Sequence, residues 1–194
     1  MLRSDEDLML SYRAGDDDAF EILYRRYEES ILNFLYRVVK NAAEAENLCQ
    51  ETFFRIVRAK KEYVATALFK TWLYHIAYNL CRDRLRRKTH RSTQSLNTVT
   101  LSHNEGGTEL QERISDPSSD VDRHVEKDEL VASVQNAIAR LPETENLVVI
   151  LKEYQGLKLS EIADILNCPV GTVKSHNHRA RKKLKTMLAK YIGD

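Results

Sequence analysis

The sequence predicts an all-α protein of two small helical domains joined by a flexible acidic linker, on three observations. Apolar residues recur at three- and four-residue spacing through most of the chain. Only three prolines and six glycines occur in 194 residues, and no sustained period-two alternation appears. Residues 89–122, finally, are rich in Ser, Thr, Asn and Gly and hold six acids against two cations. Such a composition cannot bury enough apolar surface to offset its own ordering entropy. The expected domains are therefore 1–88 and 123–194, with 89–122 as the tether.

Each helix has local signals. Ser4-Asp5-Glu6-Asp7 caps a short first helix that Gly15 ends. A second runs from about Asp17 to Lys40, with Phe20, Leu23, Tyr24, Tyr27, Ile31, Phe34, Leu35 and Val38 in one stripe. Asn41 and Glu44 read as an N-cap and its partner, opening a third helix through about Lys60. Its inward face is expected to be Leu48, Phe53 or Phe54, Ile56 and Val57. After a short loop at Tyr63–Thr66, a fourth helix from about Ala67 to Lys88 rests on Phe69, Trp72, Leu73, Ile76, Ala77, Leu80 and Leu85. Helical pattern resumes from about Val121 to Leu141, and Pro142 restarts the chain. Leu147, Val148, Ile150, Leu151 and Tyr154 make one more helix, which Gly156 ends.

The last third carries the clearest functional signal. Leu159, Ile162, Ala163 and Leu166 give a short helix one apolar face; Asn167-Cys168 breaks the pattern, and Pro169 opens a second helix. Val173, Ala180 and Leu184 continue an inward seam, leaving Lys174, Ser175, His176, His178, Arg179, Arg181, Lys182 and Lys183 for solvent or a polyanion. This is the layout of a helix-turn-helix that presents its second helix to a DNA major groove. The net charge is only +1, yet Lys174–Asp194 holds seven cations against one acid, a local electrostatic footprint on a neutral protein.

Other classes find little support. The three cysteines, Cys49, Cys81 and Cys168, are far apart and odd in number, which suits a reducing cytoplasm rather than a disulfide framework. His176 and His178 point in different directions on a helix and have no accompanying ligands, so no metal or other cofactor is expected. The N-terminus lacks a signal-peptide core, and no apolar run is long enough to span a bilayer, so membrane insertion is not expected. No nucleophile–base pairing or Gly-rich phosphate loop suggests an enzyme.

The order of these pieces resembles the extracytoplasmic-function sigma factors, the smallest class of bacterial sigma-70-type transcription initiation factors. The N-terminal likeness rests on GDDDAFEILYRRY (Gly15–Tyr27), AEAENLCQETFFRIVRA (Ala43–Ala59) and FKTWLYHIAYNLCRDRLRRK (Phe69–Lys88). The C-terminal likeness rests on LPETENLVVILKEYQGLKLSEIADILNCPVGTVKS (Leu141–Ser175).

That resemblance implies a region 2 domain that docks on the clamp helices of core RNA polymerase and opens the promoter's −10 element. It also implies a region 4 domain that lies against the polymerase flap and reads the −35 element. Carried over by position, Glu46, Asn47, Gln50 and Glu51 would form the core-binding surface. Lys60, Lys61, Tyr63, Asn79, Arg82, Arg86 and Arg87 would engage the −10 strand, with Asn79 facing the flipped base; Tyr63 could equally be packing. Lys174, Ser175, His176, His178, Arg179 and Lys182 would read the −35 element. The linker would either enter the polymerase's RNA path or serve as a plain tether. The family likeness further implies an anti-sigma partner.

Several positions depart from the family pattern. Asn47 stands where many relatives carry an acid, His176 where they often have Arg, and Lys158 where a serine cap is common. Asn177 sits on the inward seam in place of an apolar residue, and needs a buried partner to avoid a cost of roughly 1–3 kcal/mol. The alternative reading is a stand-alone helix-turn-helix regulator that binds operator DNA as a dimer. It leaves the N-terminal blocks without a role.

Overall fold

The computed structural model describes residues 3–65, 68–94 and 121–191, for 88–94 and 121–128 the backbone alone. Most of the expected linker, Thr66 of the expected loop and Ala67 at the expected start of the fourth helix lie outside the described residues. The helices are α1 (Asp5–Ala14), α2 (Asp17–Val39), α3 (Ala42–Arg58), α4 (Phe69–Gln94), α5 (Val121–Ala139), α6 (Glu143–Val149), α7 (Leu159–Leu166) and α8 (Val170–Met187). No strand occurs among the described residues. The chain divides into two compact units, one built on α1–α4 and one on α5, α6 and α8.

In the N-terminal unit the helix ends are set by local chemistry. Ser4 Oγ accepts from the Asp7 amide to cap α1. Gly15, at φ 111°, closes it, with the Gly15 and Asp16 amides returning to the Tyr12 and Ser11 carbonyls in a Schellman pattern. Asp16 is at once the N-cap of α2, its Oδ1 accepting from the Ala19 amide. Lys40 ends α2 in the left-handed region, and Asn41 Oδ1 caps α3 by accepting from the Glu44 amide. Three helices pack on α2, which buries Leu23, Tyr27, Ile31, Phe34 and Leu35 among them. Edge-on ring contacts at 5.6 Å (Tyr27–Phe69) and 5.3 Å (Phe34–Tyr74) join α2 to α4.

Some inward faces differ from expectation. Phe53 is the buried one of its pair, whereas Phe54 is 49% exposed and Val57 also faces solvent. On α4 the fully buried aromatic beside Phe69 is Tyr74, while Trp72 and Ile76 are only half-buried. The core on α4 has turned toward α2, so the stripe centres on Leu73, Tyr74, Ala77 and Cys81. Burial pushes the Cys49 thiol up to about 11 and the Cys81 thiol up to about 12, which keeps both protonated at neutral pH.

In the C-terminal unit Ile138 and Leu141 meet Val149 and Ala180, with Val134 and Leu184 packed against them. α6 does not run on as a plain α-helix: Ile150–Tyr154 forms a π-helical turn, and the Gln155 amide returns to the Ile150 carbonyl at 3.3 Å. Gly156, at φ 65°, then reverses the chain. The departure at Lys158 is compensated locally, because Glu161 Oε2 accepts from the Lys158 amide at 2.6 Å. Asn167 makes the turn between α7 and α8 in the left-handed region, at φ 51°. Pro169 stands one residue earlier than expected, as the cap that precedes α8 rather than as its first residue.

Candidate nucleic-acid interface

Glu46, Asn47, Gln50 and Glu51 are all exposed on α3, but they divide between two faces. Asn47 and Glu51 line a groove of about 380 Å³ between α3 and α4, together with Leu48, Arg55, Leu80 and Arg87. Glu51 pairs with Arg55 one turn on, at 3.0 Å. At the head of α3, Glu44 is largely buried, and its carboxylate takes Arg84 Nε of α4 at 2.8 Å. That pair bridges α3 and α4 at the edge of the groove, and its Arg84 was not among the expected residues.

On α4, Asn79, Arg82 and Arg86 follow at three- and four-residue spacing and share one polar stripe with His75. Asn79 Nδ2 lies 3.1 Å from His75 Nε2, and Arg82 leans over the Tyr78 ring at 5.7 Å. Arg87 does not belong to this stripe; it faces the α3 groove beside Asn47 and Glu51. Lys60 stands 4.4 Å from the Tyr12 ring centre, and Lys61 is exposed.

Tyr63 is 2% exposed, with its ring 5.2 Å from Trp72 and 6.2 Å from Phe69, and burial pushes its hydroxyl up to about 12. This enclosure favours the packing alternative over a base-stacking role. Its backbone carbonyl accepts from Arg13 Nη1 at 2.9 Å, and Glu6 Oε1 accepts from the Phe69 amide at 2.9 Å. α1 thus holds the chain at Tyr63 and at the start of α4, where Glu6 supplies a negative charge.

On α8, Lys174, Ser175, His178 and Lys182 are exposed on the side opposite the buried Val173 and Ala180. Ser175 Oγ donates to the Gly171 carbonyl at 2.9 Å, leaving its lone pairs outward. His176 and Arg179 lie on the flank of this face, with Arg179 Nη2 3.0 Å from His176 Nδ1. Arg179 Nε also lies 3.4 Å from Oε1 of Glu145, and Lys183 Nζ lies 2.9 Å from Oε2, a close charge contact off the hydrogen-bond line. The Lys183 ammonium, helped by Arg179 and opposed by burial, holds the Glu145 carboxyl below its ordinary range. Glu145 escaped sequence reasoning because an acid in a first helical turn reads as a dipole partner. Asn177 is half-buried, and its Oδ1 is enclosed without a hydrogen-bond partner among the described residues.

Among the described residues no cluster of three His, Cys, Asp or Glu could hold a metal ion, and no helix is long and apolar enough to cross a membrane. What the two units present is polar and cationic helix surface, the makings of a two-part helical protein that reads DNA. The family model for sigma-70 region 2 matches residues 23–91, and that for sigma-70 region 4 matches residues 132–184. The chain is 34% identical to the RNA polymerase sigma-H factor of Pseudomonas aeruginosa, over 97% of this chain and 96% of that one. It is 36% identical to the ECF RNA polymerase sigma factor SigW of Bacillus subtilis, over 91% and 92% of the two chains. Its fold is similar to that of the sigma factor RpoE from Bartonella quintana, solved in complex with the anti-sigma factor NepR. That likeness has a TM-score of 0.66 at 20% identity and covers 88% of this chain and 96% of that one. The chain belongs to the extracytoplasmic-function sigma factors of the sigma-70 family. It serves RNA polymerase in promoter-specific transcription initiation.

Proposed function

We propose that the two units divide promoter recognition between them, with residues 1–88 as the polymerase-docking and −10 unit and 123–194 as the −35 unit. α3 presents Glu46, Asn47, Gln50 and Glu51 to the clamp helices of core polymerase, with the exposed Arg87 lining the adjoining groove. The α4 stripe of Asn79, Arg82 and Arg86, with Lys60 and Lys61 just after α3, engages the opened −10 strand through phosphates and a flipped base. α8 enters the major groove of the −35 element with Lys174, Ser175, His178 and Lys182 foremost and His176 and Arg179 on its flank.

The observation that carries this reading is the segregation on α8: exposed donors and cations on one side, Val173 and Ala180 sealed on the other. The role requires no catalysis by the chain itself and places it in the bacterial cytoplasm beside polymerase. An anti-sigma factor is the expected regulatory partner, as in the complex of the structurally similar RpoE.

The test is run-off transcription with purified core polymerase on pooled genomic fragments, with and without the protein. Start sites that appear only with the protein, and share two spaced elements, support the division. Sequence-specific duplex shifts by the chain alone, without initiation, favour the stand-alone regulator.

A further inference from the structure

We propose that Glu145 is a specificity-determining positioning residue for −35 reading: it withholds Arg179 and Lys183 from the DNA backbone and aims Arg179 at His176. The inference deepens the reading of α8 as the DNA-facing helix and rests on it.

The geometry is a short relay between two helices. Glu145, in the first turn of α6, is 5% exposed. Its two oxygens take separate cations of α8, Arg179 at 3.4 Å and Lys183 at 2.9 Å. Arg179 in turn reaches His176 Nδ1 at 3.0 Å. Residues 176, 179 and 183 fall on one edge of α8, apart from the exposed Lys174, Ser175, His178 and Lys182. A carboxylate covered this far would be stranded if both cations swung out to phosphates, which opposes that exchange. Two of the helix's cations are therefore unavailable for sequence-blind attraction.

The same relay sets what His176 offers. A guanidinium has only donors, so Nδ1 accepts and a neutral imidazole carries its proton on Nε2. The free edge of His176 is thereby a hydrogen-bond donor. It matches guanine O6 and N7, thymine O4 or adenine N7, and is refused by the cytosine amino group.

The full-length variant Glu145→Gln keeps the side chain's shape and removes its charge. Affinity for short duplexes, one carrying the −35 element and one unrelated, is measured across a salt series. Initiation with core polymerase is scored in parallel on single-base −35 variants. Release of the two cations steepens the dependence of log K on log salt by roughly 1–2 and tightens binding to the unrelated duplex. Discrimination at one −35 position falls on the order of tenfold. A purely structural role would weaken binding to both duplexes alike, and that result, or an unchanged slope, overturns the inference.

A second pair of variants stands apart from any folding defect of Glu145→Gln. Lys182→Gln lowers the salt slope by roughly one contact, whereas Lys183→Gln leaves it unchanged because Lys183 is already engaged. Equal losses from both overturn the inference. If the parent chain supports initiation but these slopes fail, only the role of Glu145 falls. If the parent chain neither binds the −35 duplex nor initiates, the reading of α8 falls with it.

Discussion

Asn177 and Glu145 are two polar side chains on the same small core, treated in opposite ways. The amide oxygen of Asn177 is enclosed with no partner among the described residues, while Glu145 has a cation for each oxygen. Asn177→Leu is expected to stabilise the C-terminal unit by about 1–2 kcal/mol, read as a higher melting temperature of the full chain. An unchanged melt would mean that the amide is satisfied in solution. Glu145 governs the acid side of stability. Its folded pKa lies below the unfolded value, so its contribution is complete above the ordinary carboxylate range near 4.5 and is lost as pH falls through the depressed folded value. A pH series of melts should show that loss in the parent and its absence in Glu145→Gln. The inward seam that holds Asn177 is visible in the sequence as a 3–4 repeat. The Glu145 relay is not, because it depends on which edge of α8 meets the start of α6.

At the scale of elements, helix ends were the most legible feature, since capping is settled within four residues: Ser4, Gly15, Asn41 and Gly156 all punctuate the chain as their chemistry predicts. Gly15→Ala, forced to φ 111°, should cost roughly 1–2 kcal/mol from backbone strain alone, because nothing crowds the added methyl group. A denaturant midpoint equal to the parent's would contradict this. Faces were less legible than ends. Phe54 and Val57 match an apolar helical stripe, yet α3 turns them outward because α2 and α4 meet it elsewhere. The clasp of α1 on the 59–68 loop was invisible for the same reason, since Glu6 and Phe69 lie far apart in sequence. Glu6→Ala is expected to speed hydrogen exchange of the Phe69 amide at least several-fold, with little change at amides in the middle of α2.

For the whole molecule, a near-neutral chain with a cationic end should bind DNA through α8 without coating itself in nucleic acid. The two proposed functions then separate by mutation. Gln50→Ala with Glu51→Ala should weaken capture of core polymerase in a competition assay. Lys174→Ala with His178→Ala should lower initiation at a −35-dependent promoter while leaving that capture intact. Loss of both properties from either pair would mean that the surfaces are not independent. The presence of two helical units was legible from the order of motifs. The split of Arg87 from Arg82 and Arg86, and of Asn47 and Glu51 from their neighbours, awaited the packing of α3 on α4.

The chain's single tryptophan, Trp72, lies in this N-terminal half, half-buried between Tyr63 and Phe69 and one turn before His75. Indole emission therefore comes from one address, at the base of the 59–68 loop. Selectively excited fluorescence will follow unfolding of the N-terminal unit, and any change in ring stacking beside the α4 stripe of His75, Asn79 and Arg82, while the C-terminal unit stays dark. A promoter strand that quenches or shifts this light can be titrated without attaching a dye.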